Sequence, residues 1–384
     1  MACAPGRLSV MDLYSVPTPR PFVDRARLKQ NIMAMQALAT RAGVRLRPHA
    51  KTHKSPAIAR MQLDAGAVGI CCAKLGEAEV FAEAGVRDIR LPYPANPANA
   101  DRVVALLDRG VQLSIIVDDD EVAAAWSAAM VKRAKRLDVL VKVDVGFHRC
   151  GVDPDGPRIV ERIRAIDDLA GVRLRGLLSH AGQGYSASSE EELAAIAERE
   201  CTILTFLAAR LRGAGVRVDE ISVGATPTAR FVVSQHGVTE MRPGNYVFFD
   251  RTQVGLGSAS LDDCALWVVA TVVSRPAPTR LNFDSGSKTL TNDGLRGFGT
   301  HVGHGLVCPD LATTVPDPTI VIERLSEEHA TARVAADCPL AIGDRVRILP
   351  NHSCVVSNLM DELLVVEGTS VVDTFAVAAR GRIW

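Results

Sequence analysis

Arg47-Pro48-His49-Ala50-Lys51-Thr52-His53-Lys54-Ser55 is the stretch from which the fold is read. A short apolar run, Gly43-Val44-Arg45-Leu46, precedes it and reads as a strand. Pro56-Ala57-Ile58-Ala59-Arg60-Met61-Gln62-Leu63 follows with the apolar spacing of a helix. Pro48 biases Arg47 towards an extended conformation, so the strand is expected to stop there. Lys51 then stands at the carboxyl end of a strand, and in a parallel α/β barrel that rim carries the catalytic side chains. The plain alternative for a basic run is a solvated face.

Working outward, apolar runs alternate with helical stretches. Ala67–Cys72, Asp88–Tyr93, Gln112–Val117, Leu137–Asp144, Leu174–His180 and Ile221–Val223 read as strands. Helices are expected at Arg27–Thr40, Leu75–Ala84, Asn99–Asp108, Asp119–Arg133, Pro157–Ile166 and Glu190–Arg212. This rhythm predicts an α/β fold, a parallel sheet closed into a (β/α)8 barrel. Near Gly255 the rhythm changes. Cys264–Val273, Thr319–Ile322, Thr331–Val334, Asp344–Leu349 and Glu362–Val366 are strand candidates with few helices between them, which predicts a mainly β C-terminal domain. The expected division is 20–254 for the barrel and 255–384, with 1–19, for the β domain.

The 44 basic residues balance 44 acidic ones, so nothing in the total charge favours nucleic acid or an anionic membrane as partner. No apolar stretch reaches the roughly 20 residues of a membrane span, and the first residues lack the pattern of a secretory signal. A cytoplasmic protein is expected. Nine cysteines, an odd number without framework spacing, are read as reduced, mostly core residues, Cys71 and Cys72 among them.

Five further segments carry candidate chemistry. Val143–Val152 ends a strand with a turn glycine and the cation Arg149. Ser179-His180-Ala181-Gly182-Gln183-Gly184-Tyr185 ends the next, where two glycines permit close backbone approach to a ligand. Val223–Thr228, with Gly224 and Thr226, and Arg242-Pro243-Gly244-Asn245-Tyr246 offer backbone N–H groups and a hydroxyl able to wrap a phosphate. In Pro350-Asn351-His352-Ser353-Cys354, His352 and Cys354 stand two residues apart. In an extended segment they would point to one side and could share an ion. A thiolate with an imidazole favours zinc, with manganese, cobalt and magnesium as alternatives. His301, His304 and His329 are read as ordinary loop residues, and Asp284–Lys288 as structure.

Together these segments resemble, in matching order, the D-serine dehydratase and D-threonine aldolase family of pyridoxal-phosphate enzymes, which also includes enzymes acting on 3-hydroxy-D-aspartate. These are relatives of alanine racemase. The resemblance implies that Lys51 carries pyridoxal 5'-phosphate covalently and is catalytic. It implies that Arg149, His180, Gln183 and Tyr185 surround the cofactor or the substrate. It also implies that Gly224, Thr226, Gly244, Asn245 and Tyr246 hold the phosphate, and that His352 and Cys354 bind a divalent metal. The activity it implies is metal-activated dehydration of a D-3-hydroxy amino acid, D-serine or 3-hydroxy-D-aspartate, to a 2-oxo acid and ammonia, by a homodimer. His-x-Cys and Thr52 favour the dehydratase by resemblance; the alternatives are an aldolase of the same family and a non-catalytic pyridoxal-phosphate barrel protein.

Overall fold

The computed structural model describes residues 11–298 and 302–384. Eight strands form one parallel sheet, in the order Arg45–Leu46, Glu240–Met241, Glu220–Val223, Val172–Leu178, Leu137–Lys142, Gln112–Val117, Asp88–Pro94 and Ile70–Cys71. The two ends of this order meet. His49 bridges Cys71 in parallel, and Val68 N–H donates to the Leu46 carbonyl at 2.9 Å, so the sheet curls into the expected barrel.

The helices between the strands form where the sequence supplies caps and an apolar stripe. Asp24 accepts from Arg27 N–H at 3.0 Å and starts the helix Arg25–Arg41, whose Leu28, Ile32, Met35 and Ala39 are buried at helical spacing. Asp119 caps Asp120–Val131 in the same way, at 2.9 Å to Val122 N–H. Ser189 caps Glu190–Gly213, where three glutamates occupy the first turn and meet the positive end of the helix dipole. Each fully buried leucine or isoleucine on these faces contributes about 1.5–3 kcal/mol.

The barrel interior is not uniformly apolar. Arg47 reaches Glu240 at 2.8 Å and Asp88 at 2.6 Å, while Arg90 pairs with Glu220 at 2.7 Å and with Glu240. Burial opposes a charge on Glu240, but Arg90 and Arg47 outweigh it and hold its carboxyl at about 2. The small cluster of Ile116, Leu140 and Leu178 is also buried, and Leu178 borders the site described below. The strand Glu240–Met241 escaped the sequence reading because it is two residues long and one of them is this buried carboxylate.

A second, nine-stranded and mainly antiparallel sheet follows. Its centre is Leu266–Ala277, which pairs antiparallel with Arg280–Phe283, Arg345–Leu349 and Arg20–Asp24. Arg20–Asp24, grouped with the barrel in the division at residue 20, thus belongs to the second sheet, where it also runs parallel to Glu362–Glu367. Ser370–Ala376 completes a hairpin with Glu362–Glu367. One apolar seam joins the two parts: Leu28, Ile32, Ile58 and Phe248 pack with Leu266, Val268, Val356 and Leu363. That seam sets the loop before Val356 over the barrel rim.

Candidate active site

The lysine turn is a short 3-10 helix, Ala50–Thr52, closed by backbone and side-chain contacts on both flanks. Of its four basic side chains only two reach the cavity above it, His49 and Lys51. His53 is buried, accepting from Ser55 N–H at 3.1 Å and bonding Gln62 at 3.2 Å. Lys54 is buried against Glu77 at 3.1 Å and donates to Asn358 Oδ1 at 2.7 Å. A solvated basic face is therefore excluded. The charge run divides into one accessible amine and a buried scaffold that fixes it.

The cavity occupies about 320 Å³, within the range of small-molecule sites. Arg149, His180, Tyr185, Gly224, Thr226, Gly244, Asn245, His352 and Cys354 line it with Lys51. His180 Nδ1 donates to the Gly224 carbonyl at 2.7 Å, and burial followed by the Lys51 charge holds its imidazole well below the usual range. His180 is thereby a neutral ring with Nε2 as acceptor. Phe147 meets it edge-on at 5.8 Å, with the Arg149 guanidinium 5.0 Å from the Phe147 ring.

The structure separates two of the residues expected here from the rest. Tyr246 is fully buried and its hydroxyl accepts from Gln62 Nε2 at 3.0 Å, away from the cavity. Gln183 donates to the Val145 carbonyl at 2.9 Å and so supports the Arg149 loop from behind. Both side chains serve the walls of the site.

A phosphate fits the opposite end. The backbone N–H groups of Ala225, Thr226 and Gly244 line the cavity and bond no described residue. At Gly244 a Cβ would lie 2.9 Å from both the His49 carbonyl and Thr52 Oγ1, so this close approach requires glycine. Buried Asn245 Oδ1 and Gln253 Oε1 on the cavity wall lack a partner among the described residues; as acceptors they suit a donor of a bound molecule or water and not the phosphate itself.

His352 and Cys354 do meet, by a route other than the one expected. They are not alternate residues of a strand; His352 is the N-cap residue of the helix Ser353–Leu359 and Cys354 lies in its first turn. His352 Nδ1 bonds Asp293 Oδ2 at 2.5 Å, which leaves Nε2 for a metal. Burial opposes a charge on His352, yet Cys354 overrides it and the imidazole is raised to about 10. Burial acts against the Cys354 thiolate too, and His352 nevertheless lowers its pKa. Asn245 Nδ2 approaches Cys354 Sγ at 3.5 Å, and Thr52 Oγ1 lies 3.3 Å from it. A soft N,S donor pair of this kind is one that zinc accepts.

Residues 23–252 match the family model described as alanine racemase, N-terminal domain, and residues 265–366 match the putative serine dehydratase domain. The chain belongs to the D-serine dehydratase and D-threonine aldolase family. It is 38% identical to the D-threo-3-hydroxyaspartate dehydratase of Delftia sp. (strain HT23), over 89% of this chain and 92% of the relative. To the D-threonine aldolase of Arthrobacter sp it is 35% identical, over 96% and 94%. The solved structure of the Delftia dehydratase superimposes with a TM-score of 0.89 at 35% identity, covering 95% of this chain and 98% of that one. The D-threonine aldolase of Filomicrobium marinum gives 0.86 at 29% identity, covering 97% and 98%. A mutant D-threo-3-hydroxyaspartate dehydratase is known in a metal-free form. Membership places the chain among pyridoxal-phosphate-dependent lyases of alanine racemase-like fold.

Within this family member, several cavity residues carried no mark in the sequence. Asp250 accepts from Asn245 Nδ2 at 2.6 Å and from Ser353 N–H at 2.9 Å, tying the phosphate end to the His352 corner. Lys142 lines the cavity, and burial, with Arg242 next, pushes its amine down to about 7. Asp293 and Arg296 arrive from a loop of the β domain. His301 lies outside the described residues, and His329 is exposed in the turn after Val321–Leu325.

Proposed function

We propose that the chain is a metal-activated dehydratase that converts a D-3-hydroxy amino acid to a 2-oxo acid and ammonia. The observation that carries this reading is a single cavity in which the one accessible lysine of the turn faces a soft metal pair, His352 and Cys354. A β-elimination needs these two functions on one substrate: a base at Cα and help for a leaving hydroxyl at Cβ.

Pyridoxal phosphate, held by Lys51 and the Gly224–Thr226 and Gly244–Asn245 backbone, supplies the electron sink that makes the Cα–H bond breakable. Lys51 Nζ, the accessible amine of the turn, would be the base for the α-proton. His180, neutral and fixed by Gly224, keeps its ring against the site without adding a charge. Zinc on His352 Nε2 and Cys354 Sγ would supply Lewis acidity for the departing β-hydroxyl.

The family relatives support the lyase class, and a dehydratase stands among the most similar of them. A homodimer and a cytoplasmic location belong to the same proposal; no helix among the described residues is long and apolar enough to cross a membrane. Replacing Lys51 by alanine tests the reading. Loss of both the lysine-bound cofactor absorbance and 2-oxo acid formation, with the fold intact by circular dichroism, is the expected result. Retention of either contradicts it.

A further inference from the structure

The loop Asn292–Phe298 lines the cavity with Asp293, Gly294 and Arg296 and is fixed on both sides of Arg296. On one side Asp293 bonds His352, and its carbonyl accepts from Asn351 Nδ2 at 3.2 Å. On the other, Phe298 N–H donates to the Gly255 carbonyl at 2.8 Å. Gly297, at φ +145°, packs so closely that a Cβ would lie 2.6 Å from the Gly255 backbone. Arg296 is therefore presented to the cavity by a pinned segment. It makes no hydrogen bond or ion pair with any described residue.

The other cations of the cavity differ from Arg296 in where they stand. Lys51 is the cofactor amine of the proposed reaction. Arg242 is tied to Ser222 Oγ at 2.6 Å and to the Val223 carbonyl at 3.1 Å. Lys142 is buried, and Arg149 stands over Phe147 on the His180 side. Arg296 alone shares a loop with the His352 partner Asp293, on the side where a β-hydroxyl would leave.

We propose that Arg296 binds a second carboxylate attached to the β-carbon of the substrate, so that the site prefers β-hydroxy-D-dicarboxylic amino acids of the 3-hydroxyaspartate type over D-serine. This rests on the dehydratase reading and adds a specificity residue to it. A carboxylate on Cβ lies next to the hydroxyl carried by the metal corner, and Arg296 stands three residues from Asp293, the partner of His352, on the same pinned loop lining the cavity. A planar guanidinium reads a carboxylate through two parallel N–H groups.

The test compares the holoenzyme with its Arg296→Gln and Arg296→Lys variants. Both kcat/KM for D-threo-3-hydroxyaspartate against D-serine, and equilibrium binding of D-aspartate against D-alanine followed by cofactor absorbance, are measured. Arg296→Gln is expected to lose about 10- to 100-fold on the dicarboxylic compounds and to leave the monocarboxylic ones within about threefold. Lysine should restore part of the loss. Equal losses on both classes would mean that Arg296 holds the α-carboxylate or the fold, and unchanged values would mean that it reads nothing; either overturns the assignment. Should the loaded wild-type enzyme release no 2-oxo acid from any substrate, the dehydratase reading fails, while D-aspartate binding still decides the role of Arg296.

Discussion

The Cys354 thiol lies 3.3 Å from the Thr52 hydroxyl, and Thr52 is joined directly to Lys51. The metal corner comes from the β domain and the lysine from the barrel, so this contact couples two sites that are 302 residues apart in the chain. As a thiolate bound to metal, Cys354 would accept the Thr52 hydrogen bond. Thr52→Val keeps the shape and removes that donor. Metal affinity, read by competition with a chelator, should fall about 10-fold while cofactor absorbance stays unchanged. Equal affinity in the variant would show that the contact is packing alone.

Asp293 fixes the other metal residue. With Nδ1 of His352 held at 2.5 Å, the ring presents Nε2 to the cavity. Asp293→Ala should weaken metal binding by about 10- to 100-fold, and Asp293→Asn, which can still accept, by less. Metal content after dialysis against a graded chelator series distinguishes these cases.

Gly244 sits where the phosphate end touches the lysine turn. Gly244→Ala would place a Cβ 2.9 Å from the His49 carbonyl and from Thr52 Oγ1, displacing the turn at a cost of about 1–3 kcal/mol. Cofactor retention on gel filtration should drop and Tm should fall; a fully loaded variant of wild-type Tm would contradict the close packing.

His53 makes stability depend on pH. Burial lowers its pKa from 6.5 to about 4, with the Gln62 and Ser55 hydrogen bonds opposing only part of the effect. The unfolded chain takes up a proton near 6.5 and the folded chain does not until about 4. Stability from this residue is thus complete above about 6.5 and is lost as pH falls towards 4, by on the order of 3 kcal/mol. Urea unfolding across that window should show the decline, and His53→Gln should flatten it.

The barrel was legible because its strands are mostly buried apolar runs separated by capped helices, and Lys51 because it closes such a run. Where the barrel interior turns ionic, at Arg47 and Glu240, the apolar signal vanished and the eighth strand was missed. His352 and Cys354 were paired on the geometry of a strand, yet a helix start brings them together, since an N-cap residue and the first turn can also converge. Asp250, Asp293 and Arg296 were invisible for another reason. Asp250 and Asp293 acquire their roles from Ser353 and His352, far away in the chain, and Arg296 from the loop that carries it to the cavity, and no local pattern encodes that. Tyr246 and Gln183 show the converse, motif residues whose side chains build the wall and do not enter the cavity.

Product analysis addresses the central claim most directly. The holoenzyme is supplied with D-serine and both diastereomers of 3-hydroxy-D-aspartate, with zinc or with a chelator, and 2-oxo acid, ammonia, glycine and aldehyde are assayed. Metal-dependent 2-oxo acid with an equal amount of ammonia is the predicted result. Glycine with an aldehyde would contradict it and identify an aldolase built on the same lysine and the same metal corner.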